Sequence, residues 1–479
     1  MDEVNTEWIR WGLRELGPLM RSGDISATEL TSLCIERIEN VDHQVNAVLG
    51  LAPDALSQAA AADRRHRSGA ARGPLDGIPV LLKDNIHTAG LLSTVGSRLL
   101  PQPPERDAEV VRRLREAGAV VLGKTNLSEW ANFRSVRGTE GWSGVGGQTS
   151  SPYLLGHSPW GSSSGSAVAV AAGMAPLALG TETDGSILGP AGVNGVVGVK
   201  PQVGLLPTAG IAPVSGALDS VGVLSRSVSD ALLTIAVLTG RPVFNDEPAR
   251  IGGRRFGSWL PSGTPDRVRE AAKVAWNRLR HAGAVVLPVE LAVPGDLVLD
   301  GLRAMYAEFG EAIDDYLRGR SEAPDSLAGL ISANRADPVE TRLFGQDLFE
   351  WVVTMSEDER AEGLAARGPV RARAQALCAD VLRRHRVEAV LVPTNEPAWP
   401  IDTVNGDRDR FSTSSLSALA GYPAVSLPIG LIDGLPVGMT VFGPPELDRF
   451  LDVAVALDRV CGDRPVPTFH AAEERGSMV

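Results

Sequence analysis

Three times along this chain an amphipathic helical stretch runs directly into an apolar run too short to be a helix. Glu109 to Gly118 leads into Ala119 to Leu122, Arg267 to His281 into Ala284-Val-Val-Leu-Pro288, and Val370 to His385 into Ala389-Val-Leu-Val392. An earlier run, Gly77-Ile-Pro-Val-Leu-Leu-Lys83, has the same apolar character and ends on a lysine. Helices and strands that alternate in this way bury their apolar faces against one another. The expected fold class is α/β, with a large central mixed, twisted sheet covered by helices on both faces. Ser26-Ala-Thr-Glu29 has capping-box spacing and Leu30, Leu33, Cys34 and Ile38 share one helical face, so an early helix is expected from Ser26.

The 479 residues are enough for two or three average domains, but large α/β enzymes reach this size around one core. The turn-rich stretch Pro242 to Arg250 is a candidate boundary, yet no long linker appears, and one domain over 1–479 is expected. The net charge of −12 argues against a nucleic-acid partner, which needs a basic surface. Cys34, Cys378 and Cys461 are far apart and form no CxxC pair, which fits a reducing compartment and gives no cysteine-rich metal site. The seven histidines lack metal-ligand spacing. The amino terminus MDEVNTEWIR has no secretory pattern and no 18-residue apolar span occurs, so a cytoplasmic location without membrane association is expected. Monomer and homodimer are both open.

Of 46 basic residues only four are lysine (Lys83, Lys124, Lys200 and Lys273). Arginine cannot give up its proton, whereas a buried lysine can act as a neutral base. Lys83, at the end of an apolar strand, is the candidate base; Lys124 and Lys200 are read as structural. A second segment, Trp160-Gly-Ser162-Ser163-Ser164-Gly-Ser166 followed by small residues to Gly173, reads as a hydroxyl-lined loop entering a buried helix. A third, Gly180-Thr-Glu-Thr183-Asp184-Gly185-Ser186-Ile187, places a serine after a tight turn whose N–H groups could converge on an oxyanion. Gly161-Ser-Ser163-Ser-Gly165 also satisfies G-x-S-x-G, but what precedes it is a poor strand for a nucleophile elbow, and no S-x-x-K motif exists.

Together these segments resemble the amidase signature family, with the signature region at about Pro159 to Pro201. The resemblance extends to Gly123-Lys-Thr-Asn-Leu-Ser-Glu-Trp130, Ser225-Arg-Ser-Val-Ser-Asp230 and Ala420-Gly-Tyr-Pro-Ala-Val-Ser-Leu-Pro428 with Gly434-Leu-Pro-Val-Gly438. It implies the amidase-signature fold, with a catalytic core over 75–225 and a more variable, substrate-shaping region over 241–410. It implies a Ser–cisSer–Lys triad: Ser186 as the acylated nucleophile, Ser162 as the bridge preceded by a cis peptide, and Lys83 as the base. Ser163 supports the triad by hydrogen bonding, and the backbone N–H groups of Thr183, Asp184, Gly185 and Ser186 form the oxyanion hole. No metal or organic cofactor is implied. The Thr-Glu-Thr-Asp-Gly-Ser-Ile form, Asn126-Leu-Ser-Glu-Trp-Ala-Asn-Phe133, Gly146-Gly-Gln148 and His157-Ser-Pro look like the peptide amidase subgroup, which removes ammonia from carboxy-terminal peptide amides. Trp130, Asn132, Gln148, His157 and Trp160 are then candidate pocket residues. The competing readings are an amidase of small or aryl amides, a biosynthetic acyl-transfer enzyme, and a partner-dependent amidotransferase component. The last is disfavoured by Asp184-Gly-Ser where that subgroup has Gly-Gly-Ser.

Overall fold

The computed structural model describes residues 7–241, 250–407, 411–461 and 464–471. The boundary expected at Pro242 to Arg250 therefore lies, Arg250 excepted, outside the described residues. The strands in chain order are β1 (Val48–Leu51), β2 (Pro79–Lys83), β3 (Val120–Thr125), β4 (Trp142–Ser143), β5 (Gly147–Gln148), β6 (Leu177–Glu182), β7 (Val197–Lys200), β8 (Ser220–Ser225), β9 (Arg255–Ser258), β10 (Val285–Pro288), β11 (Ala389–Pro393), β12 (Ala424–Ile432) and β13 (Leu435–Phe442). Among the described residues eleven of them form one sheet in the order β1-β3-β2-β6-β8-β7-β12-β13-β11-β9-β10, while β4 and β5 pair as a small hairpin. The sheet is mixed: β3, β2 and β6 run parallel, as do β11, β9 and β10, and antiparallel pairs join the rest. Strands from the expected core and from the expected variable region thus share one sheet, and helices flank it.

Local sequence explains the elements that matter for the site. Ser26 caps the helix Ala27–Val45, accepting the Glu29 N–H at 3.1 Å while Glu29 accepts the Ser26 N–H at 2.8 Å. All five residues of β2 and all six of β6 are buried, because each strand is covered on both faces. The helix Ser164–Ala171 is buried at every position, and its small residues make that close approach available. A Cβ on Gly165 would stand 2.6 Å from the Asn126 carbonyl oxygen. The helix expected from Val370 begins instead at Glu357, with Pro369 inside it. Ser356 accepts the Glu359 N–H at 3.2 Å, three acidic residues fill the first turn, and Gly363 lets the helix lie against Ala307 of the helix Gly295–Arg318. Tertiary packing and a strong cap outweigh the cost of the internal proline.

An aromatic-rich satellite core, including Trp130, Phe133, Phe309 and Phe349, packs the helices Gly295–Arg318 and Asp347–Thr354 beneath the 129–133 segment. Phe309 stacks on Phe349 at 5.6 Å, and Trp130 meets Phe349 edge-on at 5.9 Å. Beside it, buried Arg134 is held between Glu129 (2.6 Å) and Glu340 (2.9 Å). Among the described residues no helix is long and apolar enough to cross a membrane. The three cysteines are buried and unpaired.

Candidate active site

The parallel pairing of β2 with β6, Leu82 opposite Leu179, brings the ends of the two strands together. Lys83 closes β2 and is fully buried. Its Nζ lies 2.7 Å from Ser162 Oγ, 2.9 Å from Thr181 Oγ1 and 3.2 Å from the Thr181 carbonyl oxygen. Asn85, two residues along, donates to the same Thr181 hydroxyl at 2.9 Å. Burial pulls the Lys83 pKa from 10.5 down to about 7, against the opposing pull of Glu140, Asp219 and Glu182. An amine in this state is substantially neutral at neutral pH and can take a proton.

Ser162 follows a cis peptide bond, Gly161–Ser162, and Trp160 before it has a left-handed φ of 56°. Ser163 Oγ donates to the Thr181 carbonyl at 3.0 Å and accepts the Thr181 N–H at 3.2 Å, while the Ser163 N–H donates to the Ser186 carbonyl at 3.1 Å. One serine therefore ties the Ser162 loop both to the strand beside Lys83 and to the Ser186 turn. Position 180 is glycine because a Cβ there would meet Ser163 Oγ at 2.7 Å.

The turn after β6 carries Thr183 to Ser186 into the short helix Leu188–Val193, with Gly185 at φ 84°, where glycine is favoured. Glu182 holds the start of that helix: its Oε2 accepts the N–H groups of Ile187 (2.7 Å) and Leu188 (2.9 Å). Thr183 donates its hydroxyl to Asp219 at 2.6 Å, and Asp219 also accepts the Val214 and Ser215 N–H groups. Burial raises the Asp219 pKa to about 6 despite these donors. Among the described residues, the N–H groups of Asp184, Gly185 and Ser186 and the Ser186 hydroxyl have no hydrogen-bond partner. Ser162 and Ser186 open into one narrow cleft, whose walls also include Asn85, Ala131, Thr181, Ile211 and Asp219. The Ser162 and Ser186 side chains line this cleft, and Lys83 stands behind Ser162, buried beneath it.

The structure distributes the candidate pocket residues differently. Trp130, Ala131 and Asn132 all have left-handed φ values, 50°, 56° and 66°. That turn sends Trp130 into the satellite core, leaves Ala131 in the cleft wall, and holds the exposed Asn132 by a 2.9 Å bond to Glu140. Gln148, on β5, donates to the carbonyls of Glu140 (2.7 Å) and Thr149 (2.9 Å). His157 lies in a loop bridged to Pro400. Trp160 packs edge-on against Trp399 at 5.0 Å and lies close under Gly189, where a Cβ would stand 2.5 Å from its Nε1. None of Trp130, Asn132, Gln148, His157 and Trp160 is among the walls of the Ser162/Ser186 cleft. Sequence pattern alone does not single out Asn85, Thr181 or Asp219. The signal that could have found Asn85 is its place two residues beyond Lys83, whereas Asp219 arrives only through the antiparallel pairing of Glu182 with Ser220.

Lys124 donates to Ser93 Oγ (3.0 Å) and to the Ile86 carbonyl, 3.9 Å from Asp84. Lys200 donates to the Tyr422 carbonyl at 2.6 Å. Among the described residues, no three His, Cys, Asp or Glu side chains are grouped to hold a metal ion.

The family model for amidase matches residues 29–451. This chain belongs to the amidase signature family. It is an enzyme that hydrolyses amides. The crystal structure of native peptide amidase from Stenotrophomonas maltophilia superposes with a TM-score of 0.90 at 40% identity, covering 96% of this chain and 98% of that one. An amidase family protein from Bacillus anthracis superposes with a TM-score of 0.85 at 29% identity, over 98% of this chain and 96% of that one. Among curated relatives, a probable amidase of Arabidopsis thaliana is 34% identical, over 93% of this chain and 89% of the relative. A component of the glutamyl-tRNA(Gln) amidotransferase of Symbiobacterium thermophilum is 33% identical, over 93% of this chain and 96% of the relative.

Proposed function

We propose that this amidase hydrolyses carboxamides through an acyl-Ser186 intermediate and that its substrates are peptides carrying a carboxy-terminal amide. The observation that carries the reading is the 2.7 Å contact of Lys83 Nζ with Ser162 Oγ, with Ser162 and Ser186 facing one cleft. Neutral Lys83 takes the Ser162 hydroxyl proton as Ser162 takes that of Ser186, whose Oγ bonds to the amide carbon. The carbonyl oxygen becomes an oxyanion and is met by the backbone N–H groups of Thr183 to Ser186, on the turn that bends at Gly185. As the C–N bond breaks, Ser162 delivers its proton to the leaving nitrogen and recovers one from Lys83. Ammonia departs, and water attacks the acyl-serine by the same relay, releasing a carboxylate. Ser163 holds the Ser162 loop in register with both β6, the strand beside Lys83, and the Ser186 turn.

The peptide-amide substrate is supported by the 40% identity and the 0.90 superposition with a peptide amidase. The 33% identity to an amidotransferase component favours a second reading, a protein that works only with partners. The two separate on ammonia release by the purified chain alone, across peptide amides, the matching free acids and simple aryl amides. Release from peptide amides in preference to aryl amides is expected. Release only from small amides would overturn the substrate, and no release while Ser186 still reacts with a fluorophosphonate would favour the partner-dependent reading.

A further inference from the structure

Glu140 sits in the loop between β3 and the β4–β5 hairpin, outside the cleft walls and outside the motifs that define the family resemblance. Its backbone N–H donates to Asp407 at 2.7 Å, and Asp407 in turn accepts the Trp399 indole N–H at 2.6 Å. The carboxylate accepts Asn132 Nδ2 at 2.9 Å on one oxygen and the Ser128 hydroxyl on the other. That second oxygen lies against the Cα of Gly161, where a Cβ would collide with it and with Ser128 Oγ. The Ser128 N–H donates to the Ser162 carbonyl at 3.1 Å, and Ser128 Oγ accepts the Gly141 N–H at 2.9 Å. Glu140 forms no ion pair with an arginine or lysine among the described residues. Glu140 is half-buried, and a carboxylate partly withdrawn from water costs free energy unless a charge compensates it.

We propose that Glu140 is a positioning residue of this amidase: with Ser128 it clamps the Gly161–Ser162 peptide, and its carboxylate is the counter-charge to Lys83. The proposal rests on the Lys83–Ser162–Ser186 reading. Burial raises the Glu140 pKa to about 7; the Ser128 hydroxyl and Lys83 oppose that rise and Asp407 adds to it. Lys83 is in turn favoured in its charged form by Glu140, Asp219 and Glu182. Removing the Glu140 charge therefore makes Lys83 lose its proton at lower pH. Removing Asp407 keeps Glu140 ionised to lower pH and moves Lys83 the other way.

The test reads the rate of Ser186 labelling by a fluorophosphonate against pH, which needs no amide substrate. In Glu140→Gln the acid limb is expected to move down by about one pH unit, in line with the loss of a nearby opposite charge. In Asp407→Asn it is expected to move up. Ser128→Ala removes the clamp and leaves the carboxylate, so the rate falls while the limb moves less than in Glu140→Gln. A Glu140→Gln limb that coincides with wild type overturns the counter-charge while leaving the triad standing, and if that variant does not fold, an Asp407→Asn limb that stays or moves down does the same. A wild-type protein that does not label at Ser186 overturns both readings.

Discussion

Lys83→Met puts the buried lysine to a thermodynamic test that is independent of turnover. A lysine whose pKa falls from 10.5 unfolded to about 7 folded is protonated in both states below pH 7, so stability there is independent of its titration and carries the full cost of burying the charge. Between pH 7 and 10.5 the unfolded chain holds the proton and the folded protein does not, so wild-type stability rises with pH. The cost is about 5 kcal/mol at pH 6 and about 2 kcal/mol at pH 9. Methionine fills the same space without a charge, but it leaves Ser162 and Thr181 short of a partner, at roughly 1–3 kcal/mol. That loss does not vary with pH and cancels when the two proteins are compared across a pH series. Urea denaturation of both proteins from pH 6 to pH 9 should show the stability advantage of Lys83→Met over wild type shrinking by about 3 kcal/mol. A difference that stays constant over that range would mean that Lys83 keeps its proton in the folded protein, and the neutral-base argument would fall.

Ser186→Ala should abolish both hydrolysis and fluorophosphonate labelling, while Ser162→Ala should leave a slow residual reaction, down about 100- to 10,000-fold in kcat. Gly161→Ala forces a methyl group into Glu140 and Ser128; it should cost about 1–3 kcal/mol in urea melts and lower kcat/KM more than it lowers stability. Arg134→Leu strips the shared cation from buried Glu129 and Glu340, so stability at pH 7 should fall by roughly 3–5 kcal/mol, read from the urea midpoint.

The strand that ends on Lys83, the buried helix after Ser162 and the turn before Ser186 were legible because each is written locally: an apolar run, a small-residue run, a glycine bend. The capping box at Ser26 was legible for the same reason. What was not legible depends on contacts between distant segments. Asp219 reaches Thr183 only because β8 pairs with β6, and Glu140 reaches Gly161 only because the hairpin loop folds back over the Ser162 loop. Trp130 reads as a pocket aromatic beside the polar Asn132, but three consecutive left-handed residues turn it into the core. The helix Glu357–His385 reads short in the sequence because only its distal half precedes a strand directly; its first turns are set by Ser356 and by packing on Ala307.

The most direct test of the central claim is mass spectrometry of the protein quenched during turnover of a peptide amide. The expected result is an acyl adduct, the peptide minus ammonia, on the fragment containing Ser186, formed at a rate that supports the observed ammonia release and absent in Ser186→Ala. Ammonia release at the wild-type rate from Ser186→Ala, or an adduct on any other residue, would contradict it.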